Sequence, residues 1–81
     1  MDIQQLRLFT SLCRNLHFGN AGLENHMSPS AVSRTIARLE DSMGHKLFLR
    51  DNRSVVLTEQ GKIFHRYAMD VLSRFDGLNE E

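Results

Sequence analysis

From the first residues, apolar positions recur at three- and four-residue steps: Ile3, Leu6, Phe9, Leu12, Cys13 and Leu16. That spacing predicts a helix over 3–16 with Asp2 as its cap. His17-Phe18-Gly19 interrupts the pattern, and Phe18 is expected to anchor into the core. Residues 20–26 are only weakly patterned; Asn20 can cap a short second helix running to about His26. Gly22 inside that helix costs about 1 kcal/mol relative to alanine, unless two backbones approach closely there. The clearest pattern is SPSAVSRTIARLEDSM, residues 28–43. Ser28 can accept from first-turn amides, Pro29 stands where a missing N–H costs nothing, and Gly44 can stop the helix. At about 100° per residue, Val32, Ile36, Leu39 and Met43 fill one narrow sector. The opposite side carries Ser30, Ser33, Arg34, Ala37 and Arg38.

After Gly44 the period shortens. Lys46–Arg50 and Val55–Leu57 read as two short strands around the turn Asp51-Asn52-Arg53-Ser54, a hairpin whose tip carries Arg50 and Arg53. Thr58 then caps a helix of about 20 residues. Its apolar stripe, Ile63, Phe64, Tyr67, Ala68, Val71, Leu72, Phe75 and Leu78, is wider than so small a body can cover. Part of it must dock on the first helix or meet another chain. Phe64, Tyr67, Val71, Leu72, Phe75 and Leu78 are the candidates for a homodimer contact.

A short helix, a tight turn at Met27-Ser28-Pro29 and a longer helix make a helix-turn-helix, and the hairpin behind it makes a wing. Taken alone, the 28–43 helix fits a major groove, where hydroxyls and arginines meet base edges and phosphates. It fits an ordinary solvated surface helix equally well. The two arginines of the hairpin suit phosphates or the minor groove, although in isolation they too read as a solvated turn.

The whole chain of 81 residues is formally neutral, which at first argues against a nucleic-acid partner. The distribution changes that reading. Residues 1–66 hold nine Lys/Arg against six Asp/Glu, and residues 67–81 hold one against four. A weakly basic body of this kind needs two copies for strong binding. A 41 % apolar content suffices for one small core. Cys13 is the sole cysteine, so no internal disulfide can form and a packing role is expected for it. The start MDIQQLRLF lacks the marks of a secretory signal, and no window approaches a membrane span, so a cytoplasmic protein without membrane contact is expected.

An enzyme is the first rival reading. His17, His26, His45 and His65 form no i, i+4 pair, no HExxH and no Cys-rich cluster. The five glycines are scattered and no serine lies in a nucleophile elbow, so neither catalysis nor a metal or cofactor is expected. His26, beside the turn, could reach a phosphate. The second rival is a winged-helix protein-interaction module that never touches DNA. Such modules tend to carry acidic or apolar residues on the outer face of the long helix. Here that face holds Ser30, Ser33, Arg34 and Arg38, with Asp41 only at its far end.

The run SPSAVSRTIARLEDSMGHKLFLRDNRSVVLTEQG resembles the N-terminal DNA-binding domain of LysR-type transcriptional regulators. Phe18, Ser28, Ala31-Val32-Ser33-Arg34, Ile36, Leu39-Glu40, Gly44, Leu47-Phe48, Arg50, Leu57-Thr58 and Gly61 carry the match. The resemblance implies a mainly α, winged helix-turn-helix over 1–57, followed over 58–81 by a linker helix that dimerises antiparallel. It also implies a double-stranded DNA operator and a C-terminal effector-binding domain beyond this fragment. By position, Ser28, Pro29, Ser30, Ser33 and Arg34 would contact the operator, Arg38 a phosphate, and Arg50 and Arg53 would serve the wing. The strings HFG, SPS, RDNR and LTE most resemble the branch controlling branched-chain amino-acid biosynthesis. Three positions depart from the family pattern: Gly22 replaces an alanine, Asn25 stands where Leu or Met is usual, and Thr35 where glutamine is frequent. Either the second helix is rotated or shifted, or Asn25 is buried and needs a hydrogen-bond partner.

Overall fold

A computed structural model describes residues 1–80, and for residues 79 and 80 the backbone alone. Four helices and one hairpin follow in the order α1 (Ile3–Asn15), α2 (Phe18–Asn25), α3 (Pro29–Met43), β1 (Phe48–Arg50), β2 (Val55–Leu57) and α4 (Glu59–Glu80). This is a mainly α winged helix-turn-helix with a long terminal helix. The acidic side chains of Glu80 and Glu81 lie outside the described residues.

Asp2 caps α1 through a reciprocal pair of bonds. Its carboxylate accepts from the Gln5 amide, while the Gln5 side chain accepts from the Asp2 amide. The helix stops one residue earlier than its apolar spacing suggests, because Leu16 takes a left-handed conformation at φ 49°. Residue 26 ends α2 in the same way, with His26 at φ 56°. Neither position is glycine, so the sequence carries no plain stop signal at either.

The start of α2 corrects the expected cap. Helix geometry begins at Phe18, and the His17 side chain is the cap, its Nδ1 accepting from the Asn20 amide at 3.0 Å. Asn20 therefore sits inside the first turn. This earlier start resolves the question of Asn25, which is half-buried and donates from Nδ2 to the Ala21 carbonyl at 2.7 Å. Leu23 points away from the core, 78 % exposed. Gly22 is needed for close approach, since a Cβ there would meet the Met27 carbonyl oxygen at 2.3 Å. The turn between α2 and α3 folds directly onto that bare backbone.

Every signal at the ends of α3 operates. Ser28 Oγ accepts from the Ala31 amide at 3.1 Å, Pro29 opens the helix, and Gly44 closes it at φ 77°. Val32, Ile36 and Leu39 are buried and Met43 packs against them. At the centre of the core lies Phe9 of α1, whose ring packs against Phe48 at 5.4 Å and Phe64 at 4.8 Å. Leu8, Leu12, Leu47, Ala68 and Leu72 complete the enclosure. Cys13 is buried and desolvation pushes its thiol up to about 12, so it behaves as a packing residue.

The hairpin is antiparallel, with Phe48 opposite Leu57, Leu49 opposite Val56 and Arg50 opposite Val55. Its first strand is shorter than the expected Lys46–Arg50, because Lys46 and Leu47 are occupied elsewhere. Leu47 and Phe48 donate their amides to Glu40 Oε2 at 2.7 and 3.2 Å. On the other side, the Thr58 amide and hydroxyl donate to the Leu47 and Lys46 carbonyls, at 3.0 and 2.7 Å. Thr58 Oγ1 also accepts from the Gly61 amide, capping α4.

The stripe of α4 divides in two. Phe64, Ala68 and Leu72 turn inward onto α1. Beside them Ile63, Tyr67, Val71 and Leu78 stay exposed, with Phe75 at the border, 38 % exposed. Arg7 of α1 holds the far half of α4 through Asp76, with contacts of 2.5 and 3.3 Å. That pairing holds the Asp76 carboxyl below the usual range.

Candidate nucleic-acid interface

With Val32, Ile36, Leu39 and Glu40 fixing one side of α3 inward, the opposite side is turned toward solvent. Ser28, Pro29, Ser30, Arg34 and Arg38 are exposed and Ser33 is half-buried. The Ser28 hydroxyl, besides capping the helix, lies 3.2 Å from Ser30 Oγ. A short polar step thus marks the beginning of α3.

The wing tip is shaped by Asp51. Its Oδ1 accepts from the amides of Arg53 and Ser54 at 2.7 and 2.9 Å, and those donors hold its carboxyl below the usual range. The closed turn leaves the Arg53 side chain exposed. Leu16–Gly19, Pro29 and the turn residues Asp51–Val55 surround a cleft of about 400 Å³. The wing tip, the start of α3 and the start of α2 therefore converge on one side of the molecule.

Arg50 is placed differently from the expectation of a tip residue. Its guanidinium lies over the Phe18 ring, 4.7 Å from the centroid, and Nη1 donates to Ser33 Oγ at 2.8 Å. One side chain thereby joins the wing to α2 and α3.

Charge pairing separates two sets of basic residues. Among the described residues, ion pairs engage Arg7 with Asp76, Arg14 with Glu24, Lys46 with Glu40, Lys62 with Glu59 and Arg74 with Asp70. Among the described residues Arg34, Arg38, Arg50 and Arg53 enter none, and of the other lysines and arginines only Arg66 shares that condition. Four arginines against Asp41 and Asp51 give this face a local excess of positive charge in a chain of zero net charge. Glu24 faces the other way. Its carboxyl is held below the usual range by the Ser11 hydroxyl first, then by Asn15 and Arg14, and it fastens α2 to α1.

Of the six side chains considered for a partner helix, Leu72 is buried and Phe64 is half-buried against Phe9. Tyr67, Val71, Phe75 and Leu78 stay accessible. His26 is exposed at the end of α2. Two residues of importance escaped the sequence reading. Glu40 enters only as part of the Leu39-Glu40 match, with no structural role, yet it is only 5 % exposed and anchors the wing. Its position four residues after Ile36, beside the buried stripe, was the available signal. His17 carried none, because imidazole is an uncommon helix cap. Among the described residues no helix is long and apolar enough to cross a membrane.

The family model for bacterial regulatory helix-turn-helix proteins of the lysR family matches residues 3–62. The chain is 42 % identical over 78 residues to the HTH-type transcriptional activator IlvY of Salmonella typhimurium, covering 96 % of this chain and 26 % of that protein. It is 47 % identical over 68 residues to the IlvY activator of Haemophilus influenzae, covering 84 % of this chain and 23 % of the relative. It therefore spans about a quarter of the length of these relatives. In structure it superposes on the BenM DNA-binding domain in complex with its benA site 1 DNA, with a TM-score of 0.93 and 30 % identity, over 99 % of this chain and 90 % of that one. A second likeness is to full-length OxyR from Pseudomonas aeruginosa, with a TM-score of 0.92 and 32 % identity, over 99 % of this chain and 27 % of the other. On the strength of the matched helix-turn-helix and wing, this chain belongs to the lysR family of bacterial regulatory helix-turn-helix proteins.

Proposed function

We propose that this chain is the sequence-specific DNA-reading unit of a transcriptional regulator. The observation that carries the reading is the set Arg34, Arg38 and Arg53 around the outer face of α3 and the wing tip, which enter no ion pair among the described residues while Arg7, Arg14, Lys46, Lys62 and Arg74 each do. In this reading α3 enters the major groove, and Ser28 and Pro29 set its start against the backbone. Ser30, Ser33 and Arg34 approach base edges, with Arg34 placed for bidentate contact to guanine. Arg38 and Arg53 neutralise phosphates, the latter from the wing. The BenM relative, similar over nearly the whole chain, is bound to DNA in its structure, which supports the assignment. Function resides in residues 1–57, and 58–81 act as the linker helix.

A chain with so few free cations gains strong binding by doubling. Tyr67, Val71, Phe75 and Leu78 form the accessible strip of α4 that supports an antiparallel homodimer reading a partly palindromic operator in the cytoplasm. The similarity to IlvY activators supports the branched-chain amino-acid branch of the family for the whole regulator, with its effector bound in a further domain. The test is selection of duplexes from a randomised library at stated salt. Enrichment of a dyad with half-sites about one helical turn, or a multiple, apart is expected. Weak, salt-sensitive binding without enrichment would overturn the reading in favour of a protein-interaction module.

A further inference from the structure

An arginine at the edge of a wing ordinarily reads as a phosphate contact, a point charge reaching outward. Arg50 does something else. Its guanidinium carbon lies over the Phe18 ring, 4.7 Å from the centroid, and its Nη1 donates to Ser33 Oγ at 2.8 Å. The cation–π contact and the hydrogen bond together hold the guanidinium in place. Three elements meet in that one side chain: α2 through Phe18, α3 through Ser33, and β1 through Arg50 itself.

The consequence falls on Ser33. A serine hydroxyl has one proton to give and two lone pairs. With Arg50 donating into the oxygen, the proton is directed elsewhere, and on this face of α3 elsewhere is outward. The adjoining positive charge also disfavours a second donor, such as the cytosine N4 amino group, at the same oxygen. Ser33 is thereby converted from an indifferent group into a donor suited to purine N7, guanine O6 or thymine O4.

We infer that Arg50 acts on DNA through Ser33: clamped between Phe18 and the Ser33 hydroxyl, it locks the wing against α3 and makes Ser33 select a base edge bearing an acceptor. Arg50 is a positioning residue, and Ser33 sets specificity. This rests on the DNA-reading function proposed above.

The experiment repeats the duplex selection with the 81-residue chain and its R50A, R50K, S33A and F18L variants, each first shown to melt cooperatively. The expected result is that R50A, R50K and S33A relax preference at one and the same base pair. Affinity for the wild-type duplex falls roughly three- to tenfold in R50A, the loss of one hydrogen bond. The slope of affinity against salt stays at its wild-type value. F18L, which removes no charge, moves in the same direction as R50A. A phosphate contact behaves otherwise: R50A would weaken all sequences alike and lower the slope by about 0.9, R50K would restore affinity, and F18L would be silent. That pattern overturns the inference while leaving DNA reading intact. A wild-type chain that selects no duplex overturns the DNA-reading function itself and this inference with it.

Discussion

The two ends of the wing are built on opposite principles. At its base, Leu47 and Phe48 are buried, and their amides end on a buried carboxylate from another helix. The carbonyls of Lys46 and Leu47 are taken by Thr58, at the start of a third. At its tip, Asp51 ties only its own turn, and every residue from Arg50 to Ser54 is exposed. The base is thus tied to α3 and α4 and the tip, beyond Arg50, only to itself. Such a division separates the bonds that hold the wing to the body from the exposed side chains that the proposed function would use.

Substitutions at the base should fall on folding and leave the tip's chemistry alone. The largest effect is expected from Glu40→Ala, which strips the acceptor from two buried amides at once. A loss of about 3 kcal/mol follows from the cost of unpaired buried donors, a large share of the stability of so small a domain. Thermal unfolding reads it directly, and a melting point unchanged within a degree would refute the anchoring role. Next is Gly61→Ala. A Cβ there would stand 2.1 Å from the Leu47 carbonyl oxygen, so α4 and the residue leading into β1 must part. About 2 kcal/mol of overpacking strain is expected, again in the melting curve.

The tip and the outer face of α3 should answer in the other assay. Arg34→Ala is expected to leave the melting point in place and to reduce affinity for a selected duplex about tenfold or more, relaxing one base position. Arg53→Ala should weaken every sequence alike and lower the salt slope by about 0.9. Uniform loss from both would remove the base-reading role of Arg34.

Acid supplies the smallest and most local contrast. Because the carboxyl of Asp51 is depressed in the folded turn, its contribution is present above the unfolded value, about 4, and is lost as pH falls through the lower folded value. Amide resonances of Arg53 and Ser54 should therefore shift below about pH 4, while that of Val32, in α3 and bonded to the Ser28 carbonyl, holds. Movement of all three together would mean that the domain unfolds as a whole before the tip opens.

Most of this arrangement was legible in the chain. Ser28-Pro29 and Gly44 bracket α3 because each sits where its own backbone chemistry operates, and Asp51-Asn52-Arg53-Ser54 closes the hairpin for the same reason. What escaped depends on tertiary partners. Leu16 and His26 end their helices in conformations that only the surrounding fold imposes. Phe64 and Leu72 share a stripe with Tyr67 and Val71, and periodicity alone does not tell which side of a broad stripe α1 will cover. Arg50 lies 32 residues from the ring it stacks on, and no local spacing announces that meeting.

The bond between Arg7 and Asp76 joins positions 69 residues apart. During synthesis, at about 5–20 residues per second, the first helix emerges seconds before the segment that covers it. In that interval Leu6, Leu8 and Phe9 have no α4 to lie against, while α2 and α3, joined by a short turn, can already pair. Of the four helices, the one made earliest is therefore the one that waits longest for its final neighbour.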